Sequence, residues 1–290
     1  MRIVTFTRRE GRAKTDISIG ALVDQDKAIV ELGAVAHHDD LFGWLDLDGQ
    51  RMDRARDLIA KPPAGAVVAR DAVRLRAPVP RPGKLVCIGL NYRDHAAESK
   101  MPVPERPVVF SKFTTSVIGP GDSIVIPPSS QKVDYEAELA VVIGRRIKHG
   151  SREEAVRAIL GYTIVNDVSA RDFQFGDGQW QRGKSCDTFA PMGPWIATAD
   201  EIADPQQLAI SLRLNGRTLQ SSNTNQMIFN VPETISFISE FMTLEPGDVI
   251  ATGTPSGVGD ASGTYLKAGD VLRGEIEGLG VLINTVISEP

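Results

Sequence analysis

Three times in this chain a glycine-aspartate turn feeds straight into an apolar run. Gly119-Pro120-Gly121-Asp122 precedes residues 123–126, Pro246-Gly247-Asp248 precedes 249–252, and Ala268-Gly269-Asp270 precedes 271–276. A turn that resets the backbone, followed by a short β-branched run, is a strand signal and leaves little room for long helices. Residues 84–89, 108–110, 138–143, 162–165, 209–214 and 281–286 read the same way. Asn215-Gly216 adds a hairpin, because both residues tolerate the positive φ of a tight turn. In this region only 94–99, 152–160 and 231–241 carry helical patterning. Many short strands with few helices predict a β-rich α+β fold.

Residues 1–76 read as a small α+β unit. Residues 17–23 and 28–32 are strand-like around the polar turn 24–27, and 53–60 is helical until Lys61-Pro62-Pro63 breaks it. Pro78, Pro80 and Pro82 then recur at alternate positions, which fixes φ, removes ladder donors and suits an extended connector. The expected division is 1–76 and 77–290. Arg8 and Arg9 interrupt any apolar leader, and no stretch approaches the roughly 18 apolar residues of a membrane helix, so a cytoplasmic protein without a membrane partner is expected. A formal net charge of −5 argues against a nucleic-acid partner. Cys87 and Cys186 are expected as buried free thiols. Adjacent His37 and His38 read as a solvated loop, without the helical spacing of a zinc site.

Gly178–Ser185 spells G-x-x-x-x-G-K-S, the letters of a phosphate loop. That loop needs a buried strand before it and a helix after it, so that helix-terminal amides hold the phosphates. Here the polar run 171–177 precedes it, and Pro191 and Pro194 follow soon after. No nucleotide site is expected, and Lys184 needs another explanation.

Four segments carry possible chemistry. Asp134-Tyr135-Glu136-Ala137-Glu138 opens into an apolar run. Residues two apart in a strand share a face, so Glu136 and Glu138 stand together, either compensated by a divalent cation or solvated at an edge, or paired with Arg145 and Arg146. Asp167 ends the next apolar run, as a third carboxylate or as a turn residue. An all-oxygen set suits Mg²⁺, Mn²⁺ or Ca²⁺ and argues against zinc. His95 and Glu98 are three apart on a short helix, either as a general-base pair or as a surface pair. The Thr-Gly-Pro loop 252–259 lets amides approach an anion, or is simply a tight turn.

Taken together, the chain resembles the fumarylacetoacetate hydrolase superfamily, with its acylpyruvate hydrolases and hydroxyhepta-diene-dioate isomerases. The matching runs are Gly-Leu-Asn-Tyr-Arg-Asp-His at 89–95, Asp-Tyr-Glu-Ala-Glu-Leu at 134–139, Asn-Asp-Val-Ser-Ala-Arg-Asp at 166–172, Arg-Gly-Lys-Ser at 182–185 and Pro-Gly-Asp-Val-Ile-Ala-Thr-Gly-Thr-Pro at 246–255. Any one is weak, and five in order over residues 80–290 are specific. The resemblance implies a β-roll with a small N-terminal domain, usually a homodimer, working in aromatic or sugar-acid catabolism. It implies Glu136, Glu138 and Asp167 as ligands of Mg²⁺ (or Mn²⁺, with Ca²⁺ as a substitute), and His95 and Glu98 as the water-activating pair. Lys184 matches the family's active-site lysine, and Arg171, Gln174 and Thr254 its contacts to a small 2-oxo acid. Asn91 stands where the longer eukaryotic hydrolases carry a fourth acidic ligand. The expected reaction is hydrolysis of a C–C bond in a 2,4-diketo acid through a metal-stabilised enolate. The alternative is isomerisation or decarboxylation of a hydroxy-diene-dioate or oxaloacetate at the same site. A non-catalytic binding protein is disfavoured, since it needs no His95–Glu98 pair beside the carboxylates.

Overall fold

A computed structural model describes residues 1–9, 17–35, 38–176 and 178–289; His37 and the side chain of His38 lie outside this description. Among the described residues the strands form one long mixed sheet, a five-stranded sheet and a two-stranded ribbon. The long sheet runs Val67–Ala69, Ala28–Val35, Ile17–Val23, Arg2–Arg8, Ala190–Thr198, Ile159–Asn166, Ala137–Ile143, Val249–Ala251, Leu85–Gly89 and Val108–Lys112. The second sheet runs Arg217–Asn223, Ala209–Leu214, Val271–Ile276, Gly280–Ser288 and Ser123–Ile126.

The long sheet is covered on both faces, and its central strands are accordingly buried along their whole length. Every residue of Ala137–Ile143 and of Ile159–Asn166 is buried. Alternation divides them. Leu139, Val141 and Ile164 pack in one core with Ile210, Leu272 and Val286 of the second sheet. Ala140, Val142 and Val165 pack on the other side with Leu41, Trp44 and Met52 of the N-terminal helices His38–Leu45 and Gln50–Ala60. The expected boundary at 76/77 falls at a proline-rich connector, but the two sides share a sheet. Arg2 pairs with Ala197 and Ile3 with Ile196.

Local signals act where expected. Asn215 and Gly216 both take positive φ and join Ala209–Leu214 to Arg217–Asn223. Val231–Phe241 starts where the Asn230 side chain accepts the Glu233 N–H at 2.9 Å. Arg152–Ala158 starts with a Ser151–Glu154 capping box. It ends two residues before the predicted position, because Ile159 and Leu160 are taken into the long sheet. Ala190–Thr198 is a strand that the sequence reading lacks, since Pro191 and Pro194 read as breakers. The Ile159–Asn166 ladder shifts register between Tyr162 and Ile164, opposite the stretch that holds Pro194.

Candidate functional site

The site forms where three central strands end together. Glu136 stands just before Ala137–Ile143 and Asp167 just after Ile159–Asn166. The Asp167 N–H donates to the Glu136 carbonyl at 2.8 Å, and the Glu136 N–H to Asn166 Oδ1 at 2.9 Å. Glu138 pairs across the ladder with Val165, whose face Asp167 shares two residues on. Carboxylate oxygens of Glu136, Glu138 and Asp167 consequently lie within 4.8 Å of one another, all three residues buried.

Like charges this close in the interior need counter-ions. The Lys184 ammonium donates to Glu136 Oε2 and Asp167 Oδ2, both at 2.7 Å. Arg171 donates to Glu136 Oε1 at 2.5 Å, to Asp134 Oδ2 at 2.9 Å and to Gln174 Oε1 at 2.9 Å. Lys112 donates to Asp167 Oδ1 at 2.5 Å and to the Val168 carbonyl at 3.0 Å. Arg145 and Arg146 are elsewhere, on Asp48 and Glu245, so they do not answer the glutamates. Burial works to raise the Glu136 carboxyl, but Lys184 and Arg171 outweigh it and hold it well below the ordinary carboxylate range. Burial opposes the Lys184 and Arg171 charges, and neighbouring carboxylates override it: Asp167 and Glu136 raise Lys184, while Glu136 and Asp134 raise Arg171.

Glu138 is different. It makes no ion pair among the described residues, and its Oε2 accepts only the Gly253 N–H, at 2.8 Å. Burial, and then the Asp167 and Glu136 charges, push its carboxyl well above its ordinary value. Around the site four buried carboxylates, Asp134, Glu136, Glu138 and Asp167, meet three buried cations, Lys112, Arg171 and Lys184. An all-oxygen trio with one uncompensated carboxylate fits a hard divalent cation.

His95 and Glu98 lie on the helix Arg93–Glu98, with Nδ1 and Oε2 3.4 Å apart. Both Glu98 oxygens accept the Gly257 N–H at 3.0 Å. The pair faces the same 610 Å³ cavity as Glu136, Glu138, Arg171, Gln174, Lys184 and Thr254, rather than open solvent. Asp167 lies behind these, fully buried. The far wall is aromatic, with Phe110 and Trp180 edge-to-face at 5.4 Å.

The loop 252–259 does bring amides to anions, and the anions are the chain's own. Gly253 donates to Glu138, Gly257 to Glu98 and Gly259 to Asp134. Gly253 takes φ +97°, and a Cβ there would meet Asn91 Cβ at 2.8 Å. Thr254 gives its hydroxyl proton to the Ala137 carbonyl and accepts from Gln220, so its side chain anchors the loop. Asn91 is likewise a brace: its amide bridges Thr252, Phe229 and their loops. Lys184 closes the short helix Gln181–Lys184, and Ser185 is its C-cap; no helix opens at Ser185 as a phosphate loop requires. Cys87 is buried and Cys186 partly exposed, both free.

Two site residues escaped the sequence reading. Lys112 lies two residues past the predicted strand end at Phe110 and closes the strand Val108–Lys112. Asp134 was within a quoted motif, yet nothing local shows that it gathers the N–H groups of Tyr135, Gly259 and Asp260 and the guanidinium of Arg171.

Residues 84–287 match the family described as fumarylacetoacetate (FAA) hydrolase, C-terminal. Over 225 residues, 76% of this chain and 72% of the relative, the chain is 51% identical to the mitochondrial oxaloacetate tautomerase FAHD2A of Bos taurus. A 2-hydroxyhepta-2,4-diene-1,7-dioate isomerase structure from Mycobacterium marinum is 37% identical, with TM-score 0.77 over 100% of this chain and 99% of that one. A fumarylacetoacetate hydrolase structure from Exiguobacterium antarcticum is 35% identical, with TM-score 0.81 over 100% of both. Among the described residues no helix is long and apolar enough to cross a membrane. The chain belongs to the fumarylacetoacetate hydrolase family, and it is an enzyme of that superfamily with the α+β fold its relatives share.

Proposed function

We propose that this enzyme moves a proton within a short 2-oxo dicarboxylic acid, interconverting the enol and keto forms of oxaloacetate. The expectation of C–C hydrolysis thereby becomes the second reading. The name of the relative at 51% identity supports the change. The observation that carries the reading is that a His–Glu pair and the carboxylate site open into one cavity.

Glu136, Glu138 and Asp167 would hold Mg²⁺, with Mn²⁺ or Ca²⁺ as substitutes. When bound, the ion supplies Lewis-acid polarisation of substrate oxygens. The chain's own groups do the rest. Gly257 fixes Glu98, and Glu98 engages His95 Nδ1. That leaves Nε2 to take the proton of the enol hydroxyl on C2 and return one to C3, which gives the keto form. Lys184 and Arg171 hold the carboxylates in register and offset their charge, so that a dianionic acid can enter an acidic site. The Gln174 amide, its oxygen held by Arg171, keeps its N–H groups for a substrate carboxylate. Thr254 contributes by anchoring the loop whose amides hold Glu138 and Glu98.

Hydrolysis of a 2,4-diketo acid is favoured by one feature: the aromatic wall of Phe110 and Trp180 offers apolar surface that oxaloacetate does not use. The same His95–Glu98 pair could take its proton from water. Isomerisation of a hydroxy-diene-dioate and decarboxylation of oxaloacetate remain outcomes of the same assay. That assay presents enol-oxaloacetate, an acylpyruvate and a hydroxy-diene-dioate with Mg²⁺ and identifies the products. Accelerated loss of enol absorbance without acylpyruvate cleavage supports the tautomerase reading; acylpyruvate cleavage without enol turnover overturns it. We propose further that residues 1–76 are an N-terminal unit added to the catalytic domain 77–290, and that the protein is a cytoplasmic homodimer.

A further inference from the structure

The N-terminal segment holds a second cleft, whose lining shares no residue with the carboxylate cavity. It encloses 690 Å³, and Arg8, Arg9, Arg70, Arg74 and Arg76 line it. Strand register brings Arg9, Arg74 and Arg76 together. Arg2–Arg8 pairs antiparallel with Val73–Leu75, placing Thr7 opposite Arg74. The pairing continues through the Arg76 N–H to the Thr5 carbonyl at 2.8 Å and the Arg9 N–H to the Ala72 carbonyl at 3.0 Å. Side chains two apart share a face, so Phe6, Val73 and Leu75 enter a small core with Arg8 on their side, bound to Glu31, while Thr7, Arg9, Arg74 and Arg76 take the opposite side. The short turn Arg70–Ala72 adds Arg70.

These charges are under-compensated. Arg8 meets Glu31 at 2.5 Å, and Arg74 and Arg76 share Asp122. Arg9 donates to the Val73 carbonyl at 3.3 Å, and neither it nor Arg70 makes an ion pair among the described residues. Burial, and then the Arg9 charge, push the Arg70 guanidinium below its ordinary value. Among the described residues, Arg9, Arg70, Arg74 and Arg76 thus face Asp122, with the Asp26 charge also acting on Arg70, in a chain whose net charge is −5. Like charges gathered on neighbouring strands repel, and an oxyanion taken by guanidinium forks relieves that repulsion.

We propose that this cleft binds a small oxyanion carrying two or more negative charges, of the phosphate or polycarboxylate kind. Its size lies in the range of roughly 300–1,000 Å³ typical of small-molecule sites. Guanidinium groups offer planar pairs of donors that match either kind of oxyanion.

Calorimetric titration of the full chain with inorganic pyrophosphate and, separately, with citrate distinguishes the two sources. One or both should bind, and binding should weaken as salt is raised. Arg70→Gln should weaken it by about tenfold or more, since it removes charge-assisted hydrogen bonds. That variant breaks no ion pair among the described residues, so the melting temperature of the free chain should not move. Arg74→Gln/Arg76→Gln provides a second variant and should also weaken binding. Failure of both anions to bind at millimolar concentration overturns the proposal. So does equal binding by wild type and both variants, which would assign the anion to another site. Binding of an oligonucleotide but neither small anion overturns it as well.

Discussion

The molecule gathers like charge in two places, and burial separates their fates. At the strand ends around Glu136 the carboxylates are almost wholly buried, and all but Glu138 are met by a lysine or arginine at 2.5 to 2.8 Å. In the N-terminal cleft Arg74 and Arg76 stay 51% and 37% exposed. Solvent screens the second cluster and cannot screen the first. An unpaired charge therefore means more inside than outside. Glu138 points to a bound cation more strongly than any one surface arginine points to an anion.

The contrast breaks most readily at Lys184. Lys184→Ala leaves Glu136 and Asp167 buried and short of a counter-ion, and removing one partner of a buried pair costs about 3–5 kcal/mol. Urea denaturation should show a loss of that size. A loss under about 1 kcal/mol would mean that water reaches the site. Next, Glu136→Gln and Asp167→Asn should each lower affinity for Mn²⁺ by at least about tenfold while the far-ultraviolet circular dichroism is unchanged. Chelation should abolish turnover, with Mg²⁺ or Mn²⁺ restoring it. Glu138→Gln should act with the opposite sign on stability. Removing the one uncompensated carboxylate should stabilise the metal-free chain, by about 1 kcal/mol, although metal retention falls. The smallest effect belongs to the other cluster: Arg70→Gln should leave stability within about 0.5 kcal/mol of wild type.

Much of the candidate site was legible because its carboxylates mark strand ends: Glu136 and Glu138 stand where an apolar run begins, and Asp167 where one stops. Lys184 was legible mainly through its refusal to fit a phosphate loop and through the family resemblance. Lys112 was not legible, because a lone lysine at a strand end reads as a surface residue, and only the fold shows Asp167 beside it. The β-rich α+β character followed from the turns. The strand Ala190–Thr198 was hidden by its prolines, and Arg217–Asn223 by its polar composition. The sharing of one sheet by the N-terminal strands and the catalytic part was also hidden, because pairing of Ile3 with Ile196 is a contact between distant segments that no local pattern encodes.

One experiment reads the proposed site as a unit. Stopped-flow absorbance follows enol-oxaloacetate with saturating Mg²⁺, in wild type and in His95→Ala/Glu98→Ala, while oxalate affinity is measured alongside. Removing a positioned general base costs about 10²–10⁴-fold in rate. The double variant should therefore lose at least about a hundredfold in enol turnover and still bind oxalate, because the carboxylate trio and its cations are untouched. Turnover at the wild-type rate in that variant would contradict the assignment of the proton-transfer step to His95 and Glu98.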